Sequence, residues 1–95
     1  MKEKEYIENR PEFEELVDNN QAEKRFLILH NDDIHTFDYV IESLIEICKL
    51  EPEQAEQCTF IIHYKGKCDV KKGSLEFLKP LRRGLVKKGL NATID

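Results

Sequence analysis

The sequence predicts an α+β domain of order β-α-α-β-α-β, with its helices packed on one face of a small three-stranded antiparallel sheet. Three observations predict it. Phe26-Leu27-Ile28-Leu29-His30 is an apolar run of strand length, and Phe37, Val40, Ile41, Leu44, Ile45 and Cys48 then recur at helical spacing. The last residues return to a period of two, with Leu90, Ala92 and Ile94 alternating with polar neighbours. Between these ends the helix-start residues Thr36, Pro52 and Ser74 each precede an apolar set at helical spacing. A chain of 95 residues with 40% apolar content supports one compact core.

Taken in order, residues 1–24 come first and carry eight acids, four bases and few apolar side chains. They bury too little surface to offset the entropy of ordering, so they read as a flexible N-terminal arm ahead of a domain over residues 25–95. Within the arm, Phe13, Leu16 and Val17 would share one side of a helical turn. The first strand follows, then Asn31-Asp32-Asp33 at a strand-to-helix corner, with Thr36 capping a helix over Phe37 to Lys49. Leu50-Glu51-Pro52 ends that helix, and Pro52 opens a second one, where its missing N–H has no partner to lose. Ala55, Cys58, Thr59 and Ile62 share a face of the second helix, Phe60 and Ile61 add bulk, and His63 stands at its C-terminal end. Tyr64 to Val70 reads as a turn feeding a strand with Cys68 and Val70 inward. Gly73-Ser74 then ends the strand and caps a third helix with Leu75, Phe77, Leu78, Leu81, Leu85 and Val86 as its apolar set and Gly89 as its stop. Pro80 and Gly84 predict either a kink in that helix or a start near Lys79.

Composition narrows the function. The net charge of −4 argues against a general nucleic-acid binder. Residues 25–95 hold eleven acids and eleven bases, with acids dominant from Asp32 to Glu56 and bases from Lys65 to Lys88. An acidic side suits a cationic ligand, and a basic side suits an acidic partner. No run approaches the ~20 apolar residues of a membrane span, and Met1-Lys2-Glu3-Lys4-Glu5 is no signal peptide, so the expected location is cytoplasmic. Cys48, Cys58 and Cys68 are an odd number of thiols without a closely spaced pair, as expected of free buried cysteines and not of a zinc site.

The polar corner has two readings. Asn and Asp suit a turn by bonding their own main chain. Equally, two carboxylates and an amide oxygen beside an apolar helix face make a small site for a cation attached to an apolar group. Asn31-Asp32-Asp33 and His63-Tyr64-Lys65-Gly66-Lys67, with Glu53-Gln54-Ala55-Glu56-Gln57 leading into the second motif, resemble the ClpS family, adaptors of the ATP-dependent Clp protease. The resemblance covers about residues 25–95. It implies a fold similar to the C-terminal domain of the ribosomal stalk protein. It also implies an adaptor, without catalysis or cofactor, that binds proteins with a bulky apolar N-terminal residue (Leu, Phe, Tyr or Trp) and passes them to a Clp AAA+ unfoldase by docking on its N-domain. By motif position, Asn31, Asp32 and His63 would surround the free α-amine, while Phe37, Val40, Thr59, Ile62 and Leu90 would line the side-chain pocket. The chemistry fits: an α-ammonium offers three N–H donors and a charge to an amide oxygen, a carboxylate and an imidazole nitrogen. His63 must be neutral to accept, so binding would weaken as pH falls through the ordinary histidine range near ~6.5. Ile34, His35, Phe37 and Thr59 depart from the family's usual residues, which bears on the preference among first residues.

Two other classes compete. A small metal-dependent hydrolase would use His30, Asp32, Asp33, His35 and His63, though their spacing matches no His-Glu-x-x-His pattern. A stalk-like interaction domain without a pocket would contact partners through Arg82, Arg83, Lys87 and Lys88 on the third helix.

Overall fold

A computed structural model describes residues 23–95; the arm expected over residues 1–24 lies, except for its last two residues, outside the described residues. The elements are β1 (Arg25–His30), α1 (Phe37–Cys48), α2 (Pro52–Lys65), β2 (Lys67–Gly73), α3 (Leu75–Lys87) and β3 (Asn91–Ile94). The strands form one antiparallel sheet in the order β2-β1-β3. This is the expected β-α-α-β-α-β order, with the first strand in the middle.

Alternation along β1 decides which face is covered. Leu27 and Leu29 are fully buried beneath the helices, while Phe26, Ile28 and His30 take the other face. Leu44 of α1 and Leu78 and Leu85 of α3 are equally buried, so the core lies between β1 and these two helices. α2 adds Ala55, Cys58 and Ile62 along its inner side. Thr36 caps α1 by accepting the Tyr39 N–H at 3.1 Å, and Ser74 caps α3 by accepting the Phe77 N–H at 3.2 Å. Tyr39 Oη donates to the Lys88 carbonyl at 2.7 Å and ties the start of α1 to the end of α3.

Several expectations are corrected. α2 does not stop at His63; it continues to Lys65, and the turn into β2 is Gly66 alone, at φ 94°. Its N–H reaches the Ile62 carbonyl at 2.8 Å, so a single left-handed glycine ends the helix and reverses the chain. β2 ends at Gly73 as expected, and its ladder with β1 carries a bulge between Leu27↔Lys71 and Ile28↔Asp69. α3 begins at Leu75 and passes through Pro80, so no start occurs near Lys79. Pro80, which has no N–H to donate, is exposed. Phe77 and Val86, expected inward, are exposed, as are Phe60 and Ile61. At Gly84 α3 packs tightly on α1: a Cβ there would lie 2.9 Å from Ile47 Cγ2.

Candidate functional site

The first strand and the second helix are brought together at one end of the sheet by backbone pairing. His30 pairs with Lys67, and one residue on, the Asn31 N–H donates to the Gly66 carbonyl at 2.8 Å. Gly66 caps α2, so this bond sets Asn31 beside the last turn of that helix, where His63 stands. The two motifs, 32 positions apart in sequence, thereby face one opening.

That opening leads into a cavity of about 310 Å³. Asn31, Asp32 and His63 lie on its lining, together with Phe37, Val40, Thr59, Ile62 and Leu90. All eight residues expected at the site are therefore in one place. Ile62, Leu90 and Thr59 are buried and form its deep end. The Thr59 hydroxyl donates to the Ala55 carbonyl at 2.8 Å, so this polar residue is satisfied within its own helix. Phe37 sits edge-on to Phe60, ring centroids 4.9 Å apart, and edge-on to His63 at 5.9 Å. The ring at the first position of α1 thus bridges to α2 at the rim of the cavity.

The three polar residues are not equivalent. Asp32 Oδ1 accepts the N–H groups of Ile34 and His35, both at 2.9 Å, and Oδ2 lies 3.0 Å from His35 Nδ1. The carboxylate can only accept, so Nδ1 of His35 carries the proton. Burial pushes the Asp32 carboxyl up, but the hydrogen bonds from His35 and Ile34 and the nearby imidazole outweigh it and hold the group below its usual range. Asp32 therefore builds the turn: Oδ1 is taken up by two main-chain N–H groups and Oδ2 by the His35 ring. The side chains of Asn31 and His63, by contrast, have no hydrogen-bond partner among the described residues.

His35, Thr36, His30, Leu29 and Asp33 also line the cavity and were not assigned to the pocket from sequence. His35 is the most consequential: its ring bonds Asp32, stacks on Tyr39 with centroids 4.8 Å apart, and lies 3.2 Å from the position of a Cβ at Gly89. The signal available in sequence was the i, i+4 spacing of His35 and Tyr39. His30 Nε2 and Thr93 Oγ1 share a hydrogen bond of 2.8 Å, which ties the end of β1 to β3. Among the described residues, no group of three His, Cys, Asp or Glu side chains is arranged to hold a metal ion. Nor is any described helix long and apolar enough to cross a membrane.

Comparisons with known proteins agree on one family. The family model described as "ATP-dependent Clp protease adaptor protein ClpS" matches residues 20–93. Among curated proteins, the Clp protease adapter ClpS of Nitratidesulfovibrio vulgaris is 34% identical over 53 residues, which cover 54% of this chain and 53% of that protein. The adapter ClpS of Neisseria meningitidis is 40% identical over 50 residues, covering 52% of this chain and 48% of its own length. The chain thus spans about half the length of the curated relatives it matches. Among solved structures, that of Agrobacterium tumefaciens ClpS2 bound to L-phenylalaninamide superposes with a TM-score of 0.67 at 13% identity, covering 79% of this chain and 98% of that one. At that identity the likeness concerns the fold. Since the family model matches most of the chain, including both motifs that face the cavity, the chain belongs to the ClpS family of Clp protease adaptors.

Proposed function

We propose that the cavity binds the free N-terminus of proteins whose first residue is bulky and apolar, and that the chain delivers them to a Clp unfoldase. One observation carries this reading: Asn31 and His63, whose side chains have no hydrogen-bond partner among the described residues, line a cavity of about 310 Å³ together with the apolar Phe37, Val40, Ile62 and Leu90. An α-ammonium group attached to a large apolar side chain has the complementary arrangement, donors at one end and hydrocarbon at the other. The compound bound by the Agrobacterium protein, L-phenylalaninamide, has this form and supports the reading.

The energetics favour discrimination. Burying a large apolar side chain contributes roughly 1.5–3 kcal/mol, and losing a hydrogen bond to a charged group costs about 1.5–3 kcal/mol. Asn31→Ala and His63→Ala should each weaken binding about ten- to hundredfold. The test is fluorescence anisotropy with a labelled peptide beginning in Phe, in competition with peptides beginning in Leu, Arg, Met and acetylated Phe. Competition by free Phe and Leu but not by acetylated Phe is expected. Equal competition by the acetylated peptide overturns the amine site, and absence of binding to every peptide overturns the pocket.

A further inference from the structure

The deep end of the cavity is not uniformly apolar. Of the residues that line it, Leu29, Thr59, Ile62 and Leu90 are buried, and Thr59, 3% exposed, is the polar one among them. A threonine hydroxyl carries one proton and two accepting lone pairs. The proton goes to the Ala55 carbonyl at 2.8 Å, and among the described residues no group donates to Oγ1 in return. Burial keeps bulk water from supplying that donor. An accepting oxygen therefore stands at the base of a pocket whose other buried walls are hydrocarbon. The amine contacts at Asn31 and His63 leave this oxygen unused, and they cannot rank first residues, because every free N-terminus presents the same ammonium.

The spacing along α2 indicates which side chain can use it. His63, exposed, and Thr59, buried, line the cavity from one helix, one turn or about 6 Å apart along its axis. A tyrosine has the matching form: its ammonium and its phenol O–H are separated by the length of the ring, and the phenol brings one donor to an oxygen that has only accepting capacity left. Phe fills the same space without a donor, Leu is shorter, and Trp carries its N–H on the flank of a wider ring system. At about 310 Å³ the cavity is large enough for an aromatic side chain. Resting on the amine site proposed above, we infer that Thr59 is a specificity-determining residue, which selects an N-terminal tyrosine by accepting its phenol O–H at the base of the cavity. The bond joins two neutral groups, so it ranks large first residues and is not a condition of binding. N-terminal Tyr should compete about three- to tenfold better than Phe.

The test displaces the labelled Phe peptide from the full chain with matched peptides beginning in Tyr, Phe, Leu and O-methyltyrosine, which keeps the ring and the oxygen but has no O–H. Tyr ahead of Phe, with O-methyltyrosine no better than Phe, is the expected order. The same series is run on Thr59→Val, which keeps the branched shape and removes the acceptor, and on Thr59→Ser, which restores a hydroxyl. Each variant is read as its ratio of Tyr to Phe affinity, so general damage to the pocket cancels. Thr59→Val should reverse the ratio, because the phenol is then buried without a partner, and Thr59→Ser should keep Tyr first. Should Thr59→Val fail to fold, the order of Tyr, Phe and O-methyltyrosine on the parent chain decides. Phe equal to Tyr, O-methyltyrosine equal to Tyr, or a ratio unaltered in Thr59→Val each overturns the assignment. In those outcomes Phe and Leu still bind, so the amine site stands; absence of binding by every free N-terminus removes the amine site and this inference with it.

Discussion

Asp32 commits most of its accepting capacity to its own corner, and this separates its two contributions. The charge on the carboxyl is favoured in the folded chain by the bonds from His35 and Ile34, which place its native titration below the usual aspartate value of 3.8. A depressed native pKa contributes stability that is fully present above the unfolded value and is lost as pH falls through the native one. Asp32→Asn keeps an acceptor for the Ile34 and His35 N–H groups but cannot ionise. It should therefore flatten the fall in stability below about pH 4 that the parent shows, as read by urea unfolding between pH 3 and 7. Asp32→Ala removes the turn as well and should cost about 0.5–2 kcal/mol at neutral pH, the range of a lost capping side chain. In the peptide assay Asp32→Ala should weaken binding more than Asp33→Ala, because Asp32 holds the corner that presents Asn31. Equal losses would remove Asp32 from the proposed amine site.

Among the elements, α3 shows how packing overrides propensity. Pro80 and Gly84 both disfavour a helix, yet one runs from Leu75 to Lys87 because Leu78 and Leu85 are fully buried on its inner side. Gly84 is there for space: a methyl group would meet Ile47 Cγ2 at 2.9 Å. Ile47 is β-branched within α1 and has one favoured χ1 rotamer, so that methyl cannot swing aside freely. Gly84→Ala gains up to about 1 kcal/mol in helix propensity but incurs overpacking of about 1–3 kcal/mol. A net destabilisation of about 1 kcal/mol is expected in chemical denaturation, the reverse of what an exposed glycine-to-alanine change in a helix does. A gain in stability would mean that α1 and α3 separate easily.

For the molecule as a whole, the three thiols report on the core. Cys48, Cys58 and Cys68 are free and buried. Desolvation pushes the Cys48 thiol up to about 11, and desolvation with the neighbouring Cys58 pushes Cys68 up to about 12. Thiolate is the reactive form, so neither burial nor ionisation favours attack. An aromatic disulfide reagent at pH 8 should find no fast-reacting thiol in the native chain and three after addition of denaturant. A fast-reacting thiol before denaturation would show that α2 and β2 open locally.

Much of this was legible in the residues alone. The order of elements followed from local rules: the stripe from Phe37 to Cys48, the caps at Thr36 and Ser74, Pro52 at a helix start and the alternation in β3 each act within a few residues. Of the eight residues expected at the site, Asn31, Asp32 and His63 could be named because they lie in two short motifs, and Phe37, Val40, Thr59, Ile62 and Leu90 through the family that those motifs resemble, even though nothing local says that the motifs meet. Their meeting depends on long-range pairing, Asn31 to Gly66 across the β1–β2 ladder, and no periodicity encodes it. The same holds for the length of α2, ended by one left-handed glycine, for the bulge in the β1–β2 ladder, and for the bonds of Asp32, which required the position of the His35 ring. Short-range preferences specify which element forms; the distances between elements, set by packing of Leu27, Leu29, Leu44, Leu78 and Leu85, decide which side chains share a cavity.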